Sequence, residues 1–456
     1  MNSVSMASRP AAPTWAASAA SSPGVARSGG GAGTGRPRYP SGDRLATHHS
    51  TWLPGPCYPG TMAEQDLDAF RRELRTWLAA NVPRDLSPER AARLPEDERI
   101  RRLRAWQRKL AEARWVGITW PREYGGRDAG IPEQLAYVEE MARAGAPEII
   151  GNLGIGIAGP PILAYGTEAQ KRRFAPRILN AEHLWCFGFS EPGAGSDLAS
   201  LRTQAVLEGD WFEVTGQKVW TTLGHHADWC MLLCRTDTET RRAKGISCLL
   251  VDMKSPGITV RPLRQITGEA EFNEMFFDAV RVPRENLLGE LHDGWQIAVA
   301  ALQNERGILY VVSMQILLKQ ARDRLLQLAR ERGAGRDQLL RQDLARMYLG
   351  TEVFRMTCQR TLDKLLRMGM PGPEASIIKL HWTELTQAMP EIGMQLLGPE
   401  GLLYDTPRPE DGTHADPAQW VQRGYLGARA ASIASGTSEI MRGIIAMQVL
   451  GLPRGT

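Results

Sequence analysis

Two glycine-rich, hydroxyl-bearing stretches hold the side chains of this chain best placed for chemistry. The first is Phe187-Gly-Phe followed by Ser190-Glu-Pro-Gly-Ala-Gly-Ser-Asp197, and the second is Gly216-Gln-Lys-Val-Trp-Thr-Thr222. They stand one β-hairpin apart. Gly193 and Gly195 have no Cβ, so the backbone is expected to turn sharply there and to lie close to a flat ligand. Ser190, Ser196 and Thr222 offer hydroxyls to such a ligand or to a phosphate. Trp220 offers a wide aromatic wall.

Four further places invite a chemical reading. Gln303-Asn-Glu-Arg-Gly307 sets Glu305 beside Arg306; read alone, this is a solvated helix carboxylate next to an arginine. Ser435-Gly-Thr-Ser-Glu-Ile440 opens a last helix that runs towards Leu450. Thr437 and Glu439 lie at that helix start, where free N–H groups favour a phosphate, and Thr437 reads equally well as a helix cap. His225-His226-Ala-Asp228 suggests a metal. Adjacent histidines are expected to point apart, and no further ligands cluster near them in sequence, so no metal site is expected. Gly154-Ile-Gly-Ile-Ala-Gly159 matches a dinucleotide motif, but no βαβ context surrounds it and Pro160-Pro161 follows, so it reads as a helix–helix contact.

The elements that must position these residues fall into blocks. Residues 1–61 are rich in Ser, Ala, Gly, Pro and Arg, with Asp43 their only acid, and cannot bury enough apolar surface to fold. A disordered tail, a transit-type peptide and an extension upstream of the true start are the open readings. The last is favoured, because Met62 leads directly into an amphipathic helix with Leu67, Phe70, Leu74, Trp77 and Leu78 on one stripe. Residues 62–180 are patterned as helices. Across 181–289 short β-type runs such as Trp229–Cys234 and Gly245–Val251 alternate with turns such as Glu208-Gly-Asp210 and Ser255-Pro-Gly257. The strands are not separated by helices, which disfavours a Rossmann sheet. Residues 290–456 are helical again, with amphipathic stretches at Leu317–Leu328 and Leu339–Phe354. The fold class expected is mainly α with a central β domain.

Composition excludes several functions. With 55 basic and 51 acidic residues spread along 456, the net charge of +4 gives no nucleic-acid footprint. No run of 18 apolar residues suggests a membrane span. The six cysteines form no Cys-x-x-Cys pair, so a reducing, cytoplasmic setting is the simple expectation.

The segments named above resemble the acyl-CoA dehydrogenase family over residues 65–454. Gln395-Leu-Leu-Gly-Pro-Glu-Gly401, Gly436-Thr-Ser-Glu-Ile-Met-Arg442 and Phe277–Gly289 add to the likeness, in the family's order. The resemblance implies an N-terminal helical domain, a β-barrel or sandwich domain and a C-terminal four-helix bundle, with FAD between the last two. It implies that Phe187, Phe189, Ser190, Gly195, Ser196, Trp220 and Thr222 line the flavin and its nearer phosphate. Gln395 and Gly398 would meet the adenosine end from a neighbouring subunit of a tetramer, homomeric or shared with a sister chain.

Many relatives carry their catalytic carboxylate where this chain has Ser435. In the isovaleryl- and long-chain-type members it sits instead in a Glu-Arg pair on a bundle helix, which makes Glu305 the expected base. Arg306 would hold CoA, Ser196 would contact the substrate as well as the cofactor, and the Ser435 N–H would polarise the thioester carbonyl. The implied activity is α,β-dehydrogenation of an acyl-CoA, with branched or bulky acyl groups as candidate substrates and an electron-transfer flavoprotein as acceptor. A non-catalytic subunit of a mixed tetramer and an oxygen-using flavoenzyme are the alternatives.

Overall fold

The computed structural model describes residues 64–91, 94–240, 242–305, 308–368, 372–403 and 417–453. The expectations for residues 1–61 and for Arg306 fall outside these, as does the side chain of Glu305. Among the described residues six α-helices come first: α1 (Glu64–Asn81), α2 (Pro88–Ala91), α3 (Glu96–Glu112), α4 (Ile131–Arg143), α5 (Gly159–Tyr165) and α6 (Glu168–Leu179). The apolar stripe of α1 does what its spacing predicts. Leu74 and Leu78 are buried, and Phe70 and Trp77 pack against the same core as Trp106, Trp115 and Phe174.

Gly154 and Gly159 flank a single π-helical turn that leads into α5. A Cβ on Gly154 would press on Ile178 and Trp185, and one on Gly159 would strike the Trp120 ring. The dinucleotide-like motif is therefore a packing device, as its context predicts.

Eight strands follow: β1 (Trp185–Gly188), β2 (Gln204–Glu208), β3 (Trp211–Thr222), β4 (Trp229–Arg235), β5 (Ile246–Asp252), β6 (Ile258–Leu263), β7 (Phe272–Pro283) and β8 (Leu287–Leu288). They form one sheet in the order β6-β7-β3-β2-β4-β5-β8, with β1 added parallel to β4. Strands β4 and β5 are apolar almost throughout because both of their faces are covered. Met231, Leu233, Cys248 and Leu250 face the helical core. Cys230, Leu232, Leu249 and Val251 face an inner core with Phe212, Met275 and Phe277 from β3 and β7.

Helices α7 (Gly294–Glu305), α8 (Ile308–Glu331), α9 (Gln338–Met368), α10 (Ala375–Leu397), α11 (Pro417–Ala431) and α12 (Ser438–Ile444) follow among the described residues. Val311 and Leu325 of α8, Phe354 of α9, Ile378 and Leu385 of α10 and Val421 of α11 share one core. Helix α7 belongs elsewhere: Ile297, Ala298 and Ala301 enter the core between the first helices and the sheet. Among the described residues no helix is long and apolar enough to cross a membrane.

Candidate active site

The loop after β1 is built on a buried ion pair. Glu191 and Ala194 exchange backbone hydrogen bonds of 3.1 and 3.0 Å, closing a tight turn over Pro192 and Gly193. The Glu191 side chain turns inward and accepts from the N–H groups of Arg202 (2.7 Å) and Thr203 (2.8 Å) and from Lys218 Nζ (2.8 Å). Lys218 has no exposed surface and also donates to the Phe189 carbonyl at 3.1 Å. Burial pulls the Lys218 ammonium below its usual range, and Glu191 opposes that pull. Burial pushes the Glu191 carboxyl up, but Lys218 and the surrounding donors outweigh it and hold the group below the ordinary carboxylate range. The pair fastens the loop to β3.

The expected role of the loop glycines is corrected in part. Neither Gly193 nor Gly195 adopts a left-handed φ, so the turn is made by the Glu191–Ala194 bridge. What the glycines leave is room: a Cβ at either position would meet no atom within 4 Å. Gly195 and Ser196 are exposed on the outer side of the loop.

Strand β3 brings the second motif to the first. The Val219 N–H donates to the Ser190 carbonyl at 2.9 Å, and the Thr221 hydroxyl donates to the Phe187 carbonyl at 3.2 Å. Phe187 and Phe189 meet edge to face at 5.6 Å. The register of β3 against β7 slips between Lys218 and Thr221. At this bulge Trp220 takes φ +62° and turns outward, 62% exposed, edge-on to Phe272 at 6.2 Å. Such a bulge re-aims a side chain away from the sheet's alternation. Thr222 is half-buried opposite Phe272. Phe187, Phe189, Ser190, Trp220 and Thr222 thus form one connected patch, with Gly195 and Ser196 on the adjoining loop.

The helical candidates divide into two groups. Glu305 ends α7, whose Ile297, Ala298 and Ala301 share a core with Phe189 and Ala194. Ser435 lies in the turn from α11 to α12, with φ +53°, followed by Gly436 at φ +93°. Two consecutive left-handed residues make a sharp reversal, which Gly436 adopts without a Cβ clash. Thr437 is the N-cap of α12 and accepts from the Ile440 N–H at 3.3 Å. Buried Lys379 of α10 donates to the carbonyls of Ala431 (2.9 Å) and Gly436 (2.7 Å), and Thr383 donates to Ala431 at 3.1 Å. An open cavity of about 350 Å³ lies there, walled by Lys379, Trp382, Gly427, Ala428, Ala431 and Ser435. None of its wall comes from the Phe187–Ser196 loop.

Glu439 is exposed and 3.8 Å from Arg442. Gln395 and Gly398 are exposed at the opposite end of α10. At 1.5 Å per residue, Gln395 stands about 24 Å along the helix from Lys379. The chain itself does not bring Gln395 and Gly398 to the Ser435 turn.

Sequence reasoning missed Glu191 and Lys218, since a charged residue in a motif reads as solvated, and Lys379, which stands in no motif. It also set aside the histidine pair wrongly in one respect. His225 and His226 do not diverge; both Nε2 atoms face Glu96 of α3.

Family models described as the N-terminal, middle and C-terminal domains of acyl-CoA dehydrogenase match residues 64–182, 186–280 and 292–450. The acyl-CoA dehydrogenase IpdE1 of Mycobacterium tuberculosis is 40% identical over 392 residues, 86% of this chain and 99% of that protein. The mitochondrial short-chain specific acyl-CoA dehydrogenase of Mus musculus is 31% identical over 75% of this chain and 82% of its own length. Among solved structures, the Tcur3481-Tcur3483 steroid ACAD superposes with a TM-score of 0.72 at 29% identity, covering 86% of this chain and 99% of that one. The ChsE4-ChsE5 complex of Mycobacterium tuberculosis gives 0.68 at 30% identity, covering 87% and 100%.

Proposed function

The chain belongs to the acyl-CoA dehydrogenase family of oxidoreductases, and from that premise we propose that it dehydrogenates an acyl-CoA thioester between Cα and Cβ with FAD. The observation that carries this reading is the patch around Trp220. An exposed indole stands beside a loop whose Gly195 leaves free space, with hydroxyls at Ser190, Ser196 and Thr222. That donor set and open face fit a flat, hydrogen-bonding ring. Bound FAD supplies the hydride acceptor. Phe187, Phe189, Ser190, Gly195, Ser196, Trp220 and Thr222 would hold its ring system and nearer phosphate.

Glu305 is the base in this reading. Ser435 has no carboxylate to take the α-proton, and α7 delivers Glu305 from a core shared with Phe189. A carboxylate does this work when desolvation lifts its pKa towards the working pH. The Ser435 N–H polarises the thioester carbonyl as negative charge develops on its oxygen, a role that survives loss of a carboxylate side chain. Arg306 holds the CoA portion. Gln395 and Gly398 serve the adenosine end in a neighbouring subunit, which their exposure and their distance from the Ser435 turn support. Thr437 acts through the cap it forms, and Glu439 lies on the same helix start.

The three domains are residues 62–180, 181–289 and 290–456, assembled as a tetramer with itself or with a sister chain. The electron acceptor is an electron-transfer flavoprotein. A bulky acyl group is the favoured substrate. The Gly427, Ala428 and Ala431 wall beside Ser435 leaves room for it, and a similar solved protein is described as a steroid ACAD.

Anaerobic bleaching of the flavin by straight, branched and steroid side-chain acyl-CoAs, with Glu305→Gln run beside the parent, tests this function. The parent should bleach with the bulky members. The variant should keep FAD and lose bleaching by orders of magnitude. Equal bleaching by both would remove Glu305 as base, and bound FAD that no acyl-CoA bleaches would overturn the dehydrogenase reading.

A further inference from the structure

Two residues beyond Thr222 the chain turns through Gly224–His226 before entering β4. His225 and His226 stand with ring centroids 4.0 Å apart. Their Nε2 atoms lie 3.5 and 3.1 Å from the same oxygen, Oε1 of Glu96. One ligand atom from each of the three residues falls within 4.8 Å of the other two. Glu96 is the first residue of α3, so the cluster joins the helical region to the sheet.

The tautomer of His225 is set by its other nitrogen. Asn273 is fully buried and donates through Nδ2 to the carbonyls of Thr221 (2.9 Å) and Glu271 (3.1 Å). Its Oδ1 therefore faces His225 Nδ1, at 2.9 Å, and accepts the proton there. In neutral His225 this leaves the lone pair on Nε2, facing a carboxylate. Two electron pairs do not attract. A ligating histidine shows this same arrangement, with the far nitrogen anchored and the near one free for the ion.

His226 adds a second sign. Its Nε2 is sealed from solvent and makes no hydrogen bond, although Glu96 lies 3.1 Å away. The distance suits a hydrogen bond and the direction does not. Metal ligands behave this way, because each lone pair aims at a shared centre and not at its neighbour. With zinc bonds of about 2.0–2.1 Å at a tetrahedral angle, adjacent ligand atoms stand roughly 3.4 Å apart. The observed 3.5 and 3.1 Å bracket that edge.

The surroundings hold the frame. Arg104, two turns further along α3, pairs with Asp228 at 3.0 Å and donates to the Ala181 carbonyl at 2.9 Å. This fixes α3 against the turn. The Glu96 side chain is 52% exposed, so a fourth position is open to water.

We propose that Glu96, His225 and His226 bind one divalent cation of the zinc class, tying α3 to the turn that follows the Trp220–Thr222 strand. Two imidazoles and a carboxylate select a borderline metal over magnesium or calcium. The ion braces two domains and takes no part in the redox chemistry.

The test uses the full chain with its native cofactor content, stripped of metal by a chelator and dialysed. Zn²⁺ is titrated against a chromophoric chelator, Co²⁺ is added separately to read its visible ligand-field band, and thermal unfolding is followed with and without Zn²⁺. The parent should take up one equivalent of Zn²⁺, give a tetrahedral-type Co²⁺ band, and unfold at a higher temperature when Zn²⁺ is present. Glu96→Gln, His225→Ala and His226→Ala should each lose the stoichiometric uptake, the Co²⁺ band and the Zn²⁺-dependent shift. His292→Ala, which alters a histidine outside the cluster, should keep all three. Parent protein that shows no stoichiometric uptake would overturn the site, and so would uptake unchanged by His226→Ala and Glu96→Gln. Should one variant fail to fold, the other two still decide the matter.

Discussion

Lys218 Nζ lies 2.8 Å from Glu191 Oε1 inside the sheet, and this contact joins the two motifs that sequence placed one hairpin apart. The lysine also holds the Phe189 carbonyl, and the glutamate holds the N–H groups of Arg202 and Thr203. Both glutamate oxygens and two of the three ammonium N–H groups have partners, and such satisfaction is what makes a buried ion pair tolerable. The loop after β1 therefore owes its position to a charge pair beneath it more than to the flexibility of its glycines.

Lys218→Met should destabilise the chain by about 3–5 kcal/mol, the usual cost of stranding one member of a buried pair. Chemical denaturation measures it. The pH dependence has a definite sign. Glu191 titrates below its unfolded value, so its contribution is fully present above about pH 4.3 and is lost as pH falls through the lowered folded value. Lys218 titrates below its own free value, so its burial costs stability below that folded value, and the cost fades as pH rises from there towards the free value. In Lys218→Met the cation that lowers Glu191 is gone, and acid unfolding should begin at higher pH than in the parent. An unchanged acid midpoint would mean that Glu191 is held by its backbone donors alone.

Lys379 is to the Ser435 turn what Lys218 is to the loop. Lys379→Met leaves the Gly436 carbonyl without its 2.7 Å donor, while Thr383 still serves Ala431. The expected loss is about 1–3 kcal/mol of stability. FAD retention should be unaffected, and flavin reduction by substrate should slow by about 10²-fold as the Ser435 N–H drifts from its place. Stopped-flow reduction separates the two effects. A variant that is less stable but reduces at the parental rate would make Lys379 a structural residue only.

Much of this was legible in the chain. The helical stripe at Leu74 and Leu78, the apolar run of β4 and the turn glycines Gly209 and Gly257 stand where pattern and turn chemistry place them. The unread parts share a cause, which is that they pair residues far apart in sequence. Glu96 and His226 meet across 130 positions, and Lys379 meets Gly436 across 57. Periodicity reports which face a side chain takes, not which distant partner it finds. Trp220 shows the complement: alternation carried through β3 fails at the bulge, where the register slips and the indole turns outward.

Thr437→Ala distinguishes a cap from a cofactor contact. The Thr437 hydroxyl accepts from the Ile440 N–H, and losing an N-cap of this kind costs about 1 kcal/mol. The variant should melt at a lower temperature and bind FAD as the parent does. Weaker FAD binding with unchanged melting would move Thr437 from the helix frame to the ligand.

Trp220→Gly should separate stability from cofactor retention. The left-handed φ of +62° costs a bulky L-residue roughly 1–2 kcal/mol, and with 62% of its surface exposed the indole recovers little of that by burial. Glycine relieves the strain but pays more chain entropy, about 0.5–1 kcal/mol, so the cofactor-free variant should unfold within about 1 kcal/mol of the parent or slightly above it. FAD affinity should fall, because the wall of the patch is gone. Strain kept in a side chain that does not stabilise its own fold marks a functional position. Equilibrium unfolding of the cofactor-free proteins and fluorescence titration with FAD read the two quantities independently. If Trp220→Gly instead loses several kcal/mol while binding FAD normally, the indole is a packing residue and the candidate flavin face lies elsewhere.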